Sequence, residues 1–556
     1  MKRLLPYLLV ILLSLPTVIS LFRPGYFPMH DDLQAIRIYG MTECFKELQV
    51  PCRWVADMGY GYGYPQFNYY GPLPYYLMSL FNLFGVGIFD SVKVGFALSL
   101  ILGNLTMFAL AKAVFGNATS ALLSALVYAY IPYRASDLYS RGAMGESWAF
   151  VFIPLILLKI KNLADNQNLK NLCLTGFSFA LLIATHNVTT LIFTPFALLW
   201  GGLLFMQKRG FTISKIMSSA KWLISSVLWG SALSAFFLLP VIFEKRFAHT
   251  ESMIGGYFDY RAHFITLKQL FLTSFWGYGS SEIGPTDDLS FFFSPLLLLL
   301  LSVTVLLIIK NLIHRQYKAV LQTGLLLLFG LITTFMSHEK SSFIWTLASP
   351  LIYLQFPWRF LVLANFFFAL SIGFIFRGVG KSTAVPVLTA VFALLLLFSV
   401  SFFSPVRWLS LTEQEKFSGN LFDRQMTISI FDYLPTSAVI PPQTSAPILP
   451  TSPLRESSIT DYKTTATKLS FGFETQKETI LKLNRLYFPG WEVRVDGKKT
   501  KVNYGSDGIM YLSLPAGKYQ IEASLRDTPV RMIGNLVSLL ALGISLIIIK
   551  KPHEQN

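Results

Sequence analysis

Residues 291–309 read FFFSPLLLLLLSVTVLLII, a run with no charged side chain. A bilayer crossing takes about 20 apolar residues, and backbone groups in lipid must find partners within their own segment, so the run is a membrane helix. Comparable stretches recur along the chain. They predict twelve spans, at approximately 4–21, 92–114, 119–133, 145–158, 171–185, 188–206, 221–243, 291–309, 319–336, 360–376, 384–403 and 531–549. The whole chain agrees: of 556 residues, 53% are hydrophobic and 14% charged, with a mean hydropathy of +0.52. An ordinary soluble domain is about a quarter charged. Disorder and a conventional soluble enzyme are excluded, and the expected fold class is an α-helical polytopic membrane protein.

The 46 Lys and Arg against 30 Asp and Glu give a net charge of +16. In a soluble chain that balance would point to nucleic acid as partner; here placement decides otherwise. With the N-terminus inside, the loops and helix tips on the inner side hold 17 cations, from Lys2 and Arg3 to Lys550 and Lys551, against Asp165 and Glu554. That is the positive-inside pattern, and it accounts for the charge without nucleic acid. The expectation is a plasma (inner) membrane protein with both termini cytoplasmic. The first segment has an alternative reading as a signal peptide, with Val18-Ile19-Ser20 before a cleavage site.

Four longer segments then face outward, 22–91, 244–290, 337–359 and 404–530, so chemistry belongs on the extracytoplasmic side. The domain reading is a transmembrane module over 1–403 that includes the first outer loop 22–91, a β-rich domain over 404–530, and a final helix with a cytoplasmic tail over 531–556. In the first loop, GYGYGYPQFNYYGPLPYY at 59–76 precedes an apolar run to Phe84 that is too short to span and reads as interfacial or re-entrant. Its tyrosines, Tyr64 among them, suit either the aromatic belt or a substrate. Past a Pro/Ser/Thr stretch at 435–458, alternation at 479–486, 491–495 and 519–525 predicts half-buried strands. Asp496-Gly497 and Ala516-Gly517 read as hairpin turns, and the whole as a small β-sandwich-like domain. Three cysteines are too few for a disulfide framework; Cys44 and Cys52 share the first loop and can pair.

Four polar groups open to the same side. His30-Asp31-Asp32 offers a base or a divalent-cation site, Mg or Mn, or else an N-cap for a helix opening at 33–36. In the loop 133–146, Arg141 suits a phosphate through its forked donors, with an Arg141–Glu146 ion pair as the alternative. His186, at the outer end of the fifth span, reads as a ligand or a helix-end residue. Arg359, in Gln355-Phe-Pro-Trp-Arg-Phe360, stands at the tenth span, where snorkelling is the simpler account.

Together His30-Asp31-Asp32, the 59–77 stretch, Arg141-Gly142-Ala143…Glu146 and QFPWRF at 355–360 resemble the prokaryotic multi-pass membrane family named "6-pyruvoyl-tetrahydropterin synthase related", a label that says nothing for pterin chemistry. The pattern is also similar to the GT-C class of membrane glycosyltransferases. Tyr487-Phe-Pro-Gly-Trp-Glu-Val493 with Asp496-Gly497 and Leu514-Pro-Ala-Gly517 resembles the outer domain of YfhO-like proteins. The resemblance implies a transferase that moves a sugar from a polyprenyl-phosphate donor to a glycan, lipid or protein acceptor at the outer face. It implies Asp31 or Asp32 as base or metal ligand and Arg141 and Arg359 as the residues that hold the donor phosphate; His30, Tyr64, Glu146 and His186 are the further candidate substrate contacts on the same side. Other classes remain: a flippase of lipid-linked saccharides, against which the nearly charge-free spans count, and a non-catalytic glycan-binding scaffold.

Overall fold

The computed structural model describes residues 4–282, 289–427 and 432–550. Lys2, Arg3, Lys551 and Glu554, which enter the charge count, lie outside the described residues.

Each of the twelve expected spans is helical, but the count of full crossings is lower. Among the described residues seven helices are long and apolar enough to cross a membrane, and an eighth crossing is formed if one bent pair is taken together. Among the first eight helices, α1 (Leu5–Ser14), α5 (Ala118–Ala129) and α7 (Leu169–Ile183) are shorter apolar helices, whereas α4 (Ile88–Phe115), α6 (Met144–Asp165) and α8 (Asn187–Arg209) are full length. Between α1 and α4 lie α2 (Gln34–Lys46) and α3 (Leu73–Leu83); α3 is the short apolar run read as non-spanning. The expected first span shortens because Pro16 diverts its second half into 3-10 turns. The expected span 221–243 is two helices, α9 (Ile213–Leu233) and α10 (Ala235–Phe243), bent by 86°. The remaining helices of the bundle are α11 (Pro295–Ile313), α12 (Tyr317–Met336), α13 (Leu361–Ile372), α14 (Lys381–Ser399) and, last, α15 (Pro529–Lys550).

The final helix closes the bundle across that bend. A break in a membrane helix frees backbone donors that lipid cannot satisfy; here Ser538 Oγ accepts from the Phe236 amide at 2.9 Å and itself donates to the Ala232 carbonyl at 3.2 Å. Beside it α7 and α9 approach closely because glycines meet. A Cβ on Gly230 would stand 2.7 Å from the Gly176 carbonyl oxygen. At the end of α10, Glu244 is fully buried and bonded to Arg531 Nε at 2.8 Å and Asn68 Nδ2 at 3.0 Å.

The strands β1 (Ser458–Thr464), β2 (Lys468–Thr475), β3 (Thr479–Leu486), β4 (Trp491–Val495), β5 (Lys498–Thr500), β6 (Asn503–Tyr504), β7 (Ile509–Leu514) and β8 (Gly517–Leu525) form two antiparallel sheets, ordered β1-β2-β8-β4-β5 and β3-β7-β6. Strands β3, β4 and β8 are those the alternation predicts. Asp496-Gly497 makes the β4–β5 hairpin, with both residues at positive φ. Ala516-Gly517 does not make one. It carries the chain from β7 in one sheet to β8 in the other, since β8 pairs with β2 and β4. The β domain is docked on the first loop, where Trp54 meets Trp491 edge-on at 5.8 Å and the Leu486 amide donates to the Tyr62 carbonyl. In that loop Cys44 and Cys52 are joined as a disulfide.

Candidate active site

The 30–33 segment is not a capping turn. Helix α2 opens at Gln34 with Leu33 at the cap position and no side-chain cap bond, so both carboxylates are free for other partners. The Asp31 carboxylate takes Arg37 Nη1 at 2.8 Å and Gln34 Nε2 at 2.9 Å, both on its Oδ2. Its Oδ1 has no partner among the described residues. Arg37 lies 4.1 Å over the Tyr70 ring, and Tyr75 donates to Gln34 Oε1 at 2.6 Å, which fixes the amide that fixes Asp31. Asp32 Oδ2 takes Lys416 Nζ at 2.8 Å, while its Oδ1 is enclosed with no hydrogen bond among the described residues. Burial pushes the Asp32 carboxyl above its usual range, against the pull of Lys416.

This segment is stitched to the 133–146 loop by backbone. The His30 amide donates to the Ser140 carbonyl at 3.0 Å and the Asp31 amide to the Arg141 carbonyl at 2.9 Å. Gly142, at φ +66, lets Met29 pack where a Cβ would stand, 2.5 Å from its sulfur. Desolvation, with the Arg141 charge, lowers the His30 imidazole to about 4, although the residue is exposed overall.

Beneath lies a buried ionic cluster. Arg141 Nη1 is bonded to Asp137 Oδ1 and to Glu146 Oε1, the latter at 3.0 Å, and its guanidinium stacks 4.2 Å over Trp358. Tyr133 donates to Glu146 Oε1 at 2.7 Å, and Ser147 to Asp137 Oδ2 at 3.2 Å. Arg359 Nε stands 3.5 Å from Glu146 Oε2, and its Nη1 donates to the Leu354 carbonyl at 2.6 Å. Arg359 therefore turns inward instead of snorkelling. His186 Nδ1 pairs with Thr189 Oγ1 at 2.6 Å, and burial holds its imidazole down at about 3, so it is neutral.

Seven of the eight residues singled out in the sequence thus converge: His30, Asp31, Asp32, Arg141, Glu146, His186 and Arg359. Tyr64 is buried to one side, in electrostatic reach of Asp432, Tyr433 and Arg37. Sequence reasoning passed over Arg37, Asp137, Tyr433 and Lys416, and took in Tyr70 only as one of the tyrosines of 59–76. Tyr70 and Tyr433 are each within electrostatic reach of both Arg37 and Arg359. The i, i+4 spacing of Asp137 and Arg141 was a readable signal; nothing local announces Lys416.

A divalent cation requires several oxygen ligands. Asp31 and Asp32 each give one oxygen to a cation of the protein, and among the described residues no three His, Cys, Asp or Glu side chains converge as a ligand set. As arranged, the pair does not fit such an ion.

An uncharacterized protein of Lactococcus lactis subsp. cremoris is 22% identical over 241 residues, 42% of this chain and 39% of that protein. The arabinofuranosyltransferase AftD from Mycobacteria is similar with a TM-score of 0.45 and 17% identity, over 72% of this chain and 26% of that one. The oligosaccharyltransferase AglB from Archaeoglobus fulgidus, in complex with an inhibitory peptide and a dolichol-phosphate, gives 0.43 and 12%, over 80% of this chain and 60% of that one. The profile described as "6-pyruvoyl-tetrahydropterin synthase related domain; membrane protein" matches residues 67–406, a range that holds Arg141, Glu146, His186 and Arg359 but not Asp31 or Asp32. More than half of the chain is covered, and the chain belongs to this family of membrane proteins.

Proposed function

We propose that the protein is a membrane glycosyltransferase that takes a sugar from a polyprenyl-phosphate donor and passes it to an acceptor hydroxyl at the extracytoplasmic face. The observation that carries this reading is the Asp31 carboxylate, oriented by Arg37 and Gln34 on one oxygen and, among the described residues, unpartnered on the other, with Arg37 and Arg359 both within electrostatic reach of Tyr70 and Tyr433. Asp31 takes the acceptor proton as the new bond forms at the anomeric carbon. The bond from that carbon to the phosphate oxygen breaks, and its electron pair leaves with the lipid phosphate. Arg359, with Arg37, offsets the developing charge, an electrostatic contribution of the kind that dominates such transfers. Arg141 and Glu146 act through Arg359 by fixing its position, and neutral His186 borders them. Asp32 is held by Lys416 and positions the segment. No step requires a metal.

An apolar cavity of about 450 Å³ supports a lipid donor. It is lined by Leu73, Tyr76, Ala184, Leu233 and Leu539. Leu73 and Ala184, whose backbones are bonded to each other, stand three and two residues from Tyr70 and His186. The identities of sugar and acceptor follow from a panel assay: purified protein is incubated with different polyprenyl-phosphate sugars, and release of the lipid phosphate is measured in wild type and Asp31→Asn. Release by wild type alone supports the reading. No release from any donor, or equal release by both, contradicts it.

A further inference from the structure

At the end of the bundle opposite the carboxylates, the C-terminal ends of α4, α6 and α8 meet α12 and Arg377 around a second cavity, of about 280 Å³. Its wall carries three cations, Lys161, Lys208 and Arg377, and one acid, Asp165. Asp165 is shared: Oδ2 takes Lys161 Nζ at 2.8 Å and Oδ1 is bonded to Lys208. Arg377 rests 5.9 Å over the Phe374 ring and makes no ion pair among the described residues. One carboxylate thus faces three cations brought from three separate elements, and two positive charges are left over within one concavity. The same cavity also has an apolar lining, which includes Phe115 and Leu204.

A wall mixed in this way matches an amphiphile with a single negative charge at its polar end. Basic pockets between helices at the membrane surface bind anionic lipid headgroups, each Lys or Arg adding attraction at the charged surface. We propose that this cavity binds the phosphodiester headgroup of an anionic phospholipid, with the phosphate among Lys161, Lys208 and Arg377 and the chains leaving past Phe115 and Leu204. The site is separate from the proposed transferase site and does not depend on that reading.

The test uses the full-length protein in a neutral detergent, titrated with phosphatidylglycerol, phosphatidylcholine or inorganic phosphate. Lipid retained is counted by native mass spectrometry, and melting temperature is followed in parallel. Wild type should retain phosphatidylglycerol and be stabilised by it, with no response to phosphatidylcholine or inorganic phosphate. Removing two cations, Lys161→Gln with Arg377→Gln, should weaken retention about 30-fold, the equivalent of about 2 kcal/mol at about 1 kcal/mol per charge. Asp165→Asn should act the other way and strengthen retention, because it releases two lysines to the lipid. That variant removes no cation, so it remains informative if the double variant folds poorly. Equal retention of phosphatidylcholine, equal stabilisation by inorganic phosphate, or weakened retention in Asp165→Asn would each overturn the proposal.

Discussion

The buried cluster under the carboxylates sets a quantitative expectation. Glu146 and Asp137 are almost wholly enclosed, at 1% and 0% side-chain exposure, and Arg141 is at 8%. Removing one partner of a buried ion pair costs about 3–5 kcal/mol, because the other charge stays behind uncompensated. Arg141→Gln leaves Glu146 with the Tyr133 hydroxyl and, as its nearest cation, the longer 3.5 Å approach of Arg359. Glu146→Gln leaves both guanidiniums with Asp137 as their remaining acid. If the two sites were independent, the double variant would lose about 6–10 kcal/mol, comparable to the whole stability of a typical domain. Because the pair is in contact at 3.0 Å, the double variant should instead lose no more than the worse single one, a coupling of at least about 3 kcal/mol. The assay is denaturant unfolding of the four proteins in one detergent, followed by tryptophan fluorescence. Losses that add within about 0.5 kcal/mol would show that Arg141 does not depend on Glu146. The guanidinium would then be free for a substrate phosphate, and the positioning role given to it here would fail. Arg141→Lys probes the same point, since a lysine keeps the charge but has no planar group to stack on Trp358.

Other expectations follow from the same geometry. His30 and His186 are held neutral, at about 4 and about 3. Their folded values lie below the unfolded value near 6.5, so their stabilising contribution is complete above that pH and is lost as pH falls toward 4. The melting temperature should decline across that window, and His186→Asn should flatten the decline. Turnover should survive chelation, because both carboxylates are already engaged by protein cations; abolition by EDTA with rescue by Mg or Mn would refute the assignment. The positive-inside count places 404–530 outside and 207–220 in the cytoplasm. An outside-only thiol probe should reach a cysteine at 460 and not one at 212, and the reverse pattern would invert the topology.

Much of the bundle is written in runs such as 291–309, where composition alone forces a helix. The lengths of the helices are less legible. Pro16 and the break at Ser234 divide apolar stretches that look continuous by hydropathy, because hydropathy does not register where backbone donors find partners. In the β domain, alternation located β3, β4 and β8, yet the turn at 516–517 joins two sheets. A local turn signal does not say which strands pair. At the site, the residues carrying charge out of place were visible, and seven of them meet. Their partners were not: Arg37 sits six positions from Asp31 on a helix of ordinary appearance, and Lys416 reaches Asp32 across 384 residues. Contacts of that separation leave no trace in spacing.

The most direct test of the transferase account is the rate of lipid-phosphate release by the intact protein with its preferred donor, compared among wild type, Asp31→Asn and Asp32→Asn. A general base contributes about 10²- to 10⁴-fold in rate. Asp31→Asn should lose that factor with its melting temperature within a few degrees of wild type, whereas Asp32→Asn should retain most turnover and melt lower, having lost the Lys416 contact. Wild-type turnover in Asp31→Asn would contradict the account and place the base elsewhere.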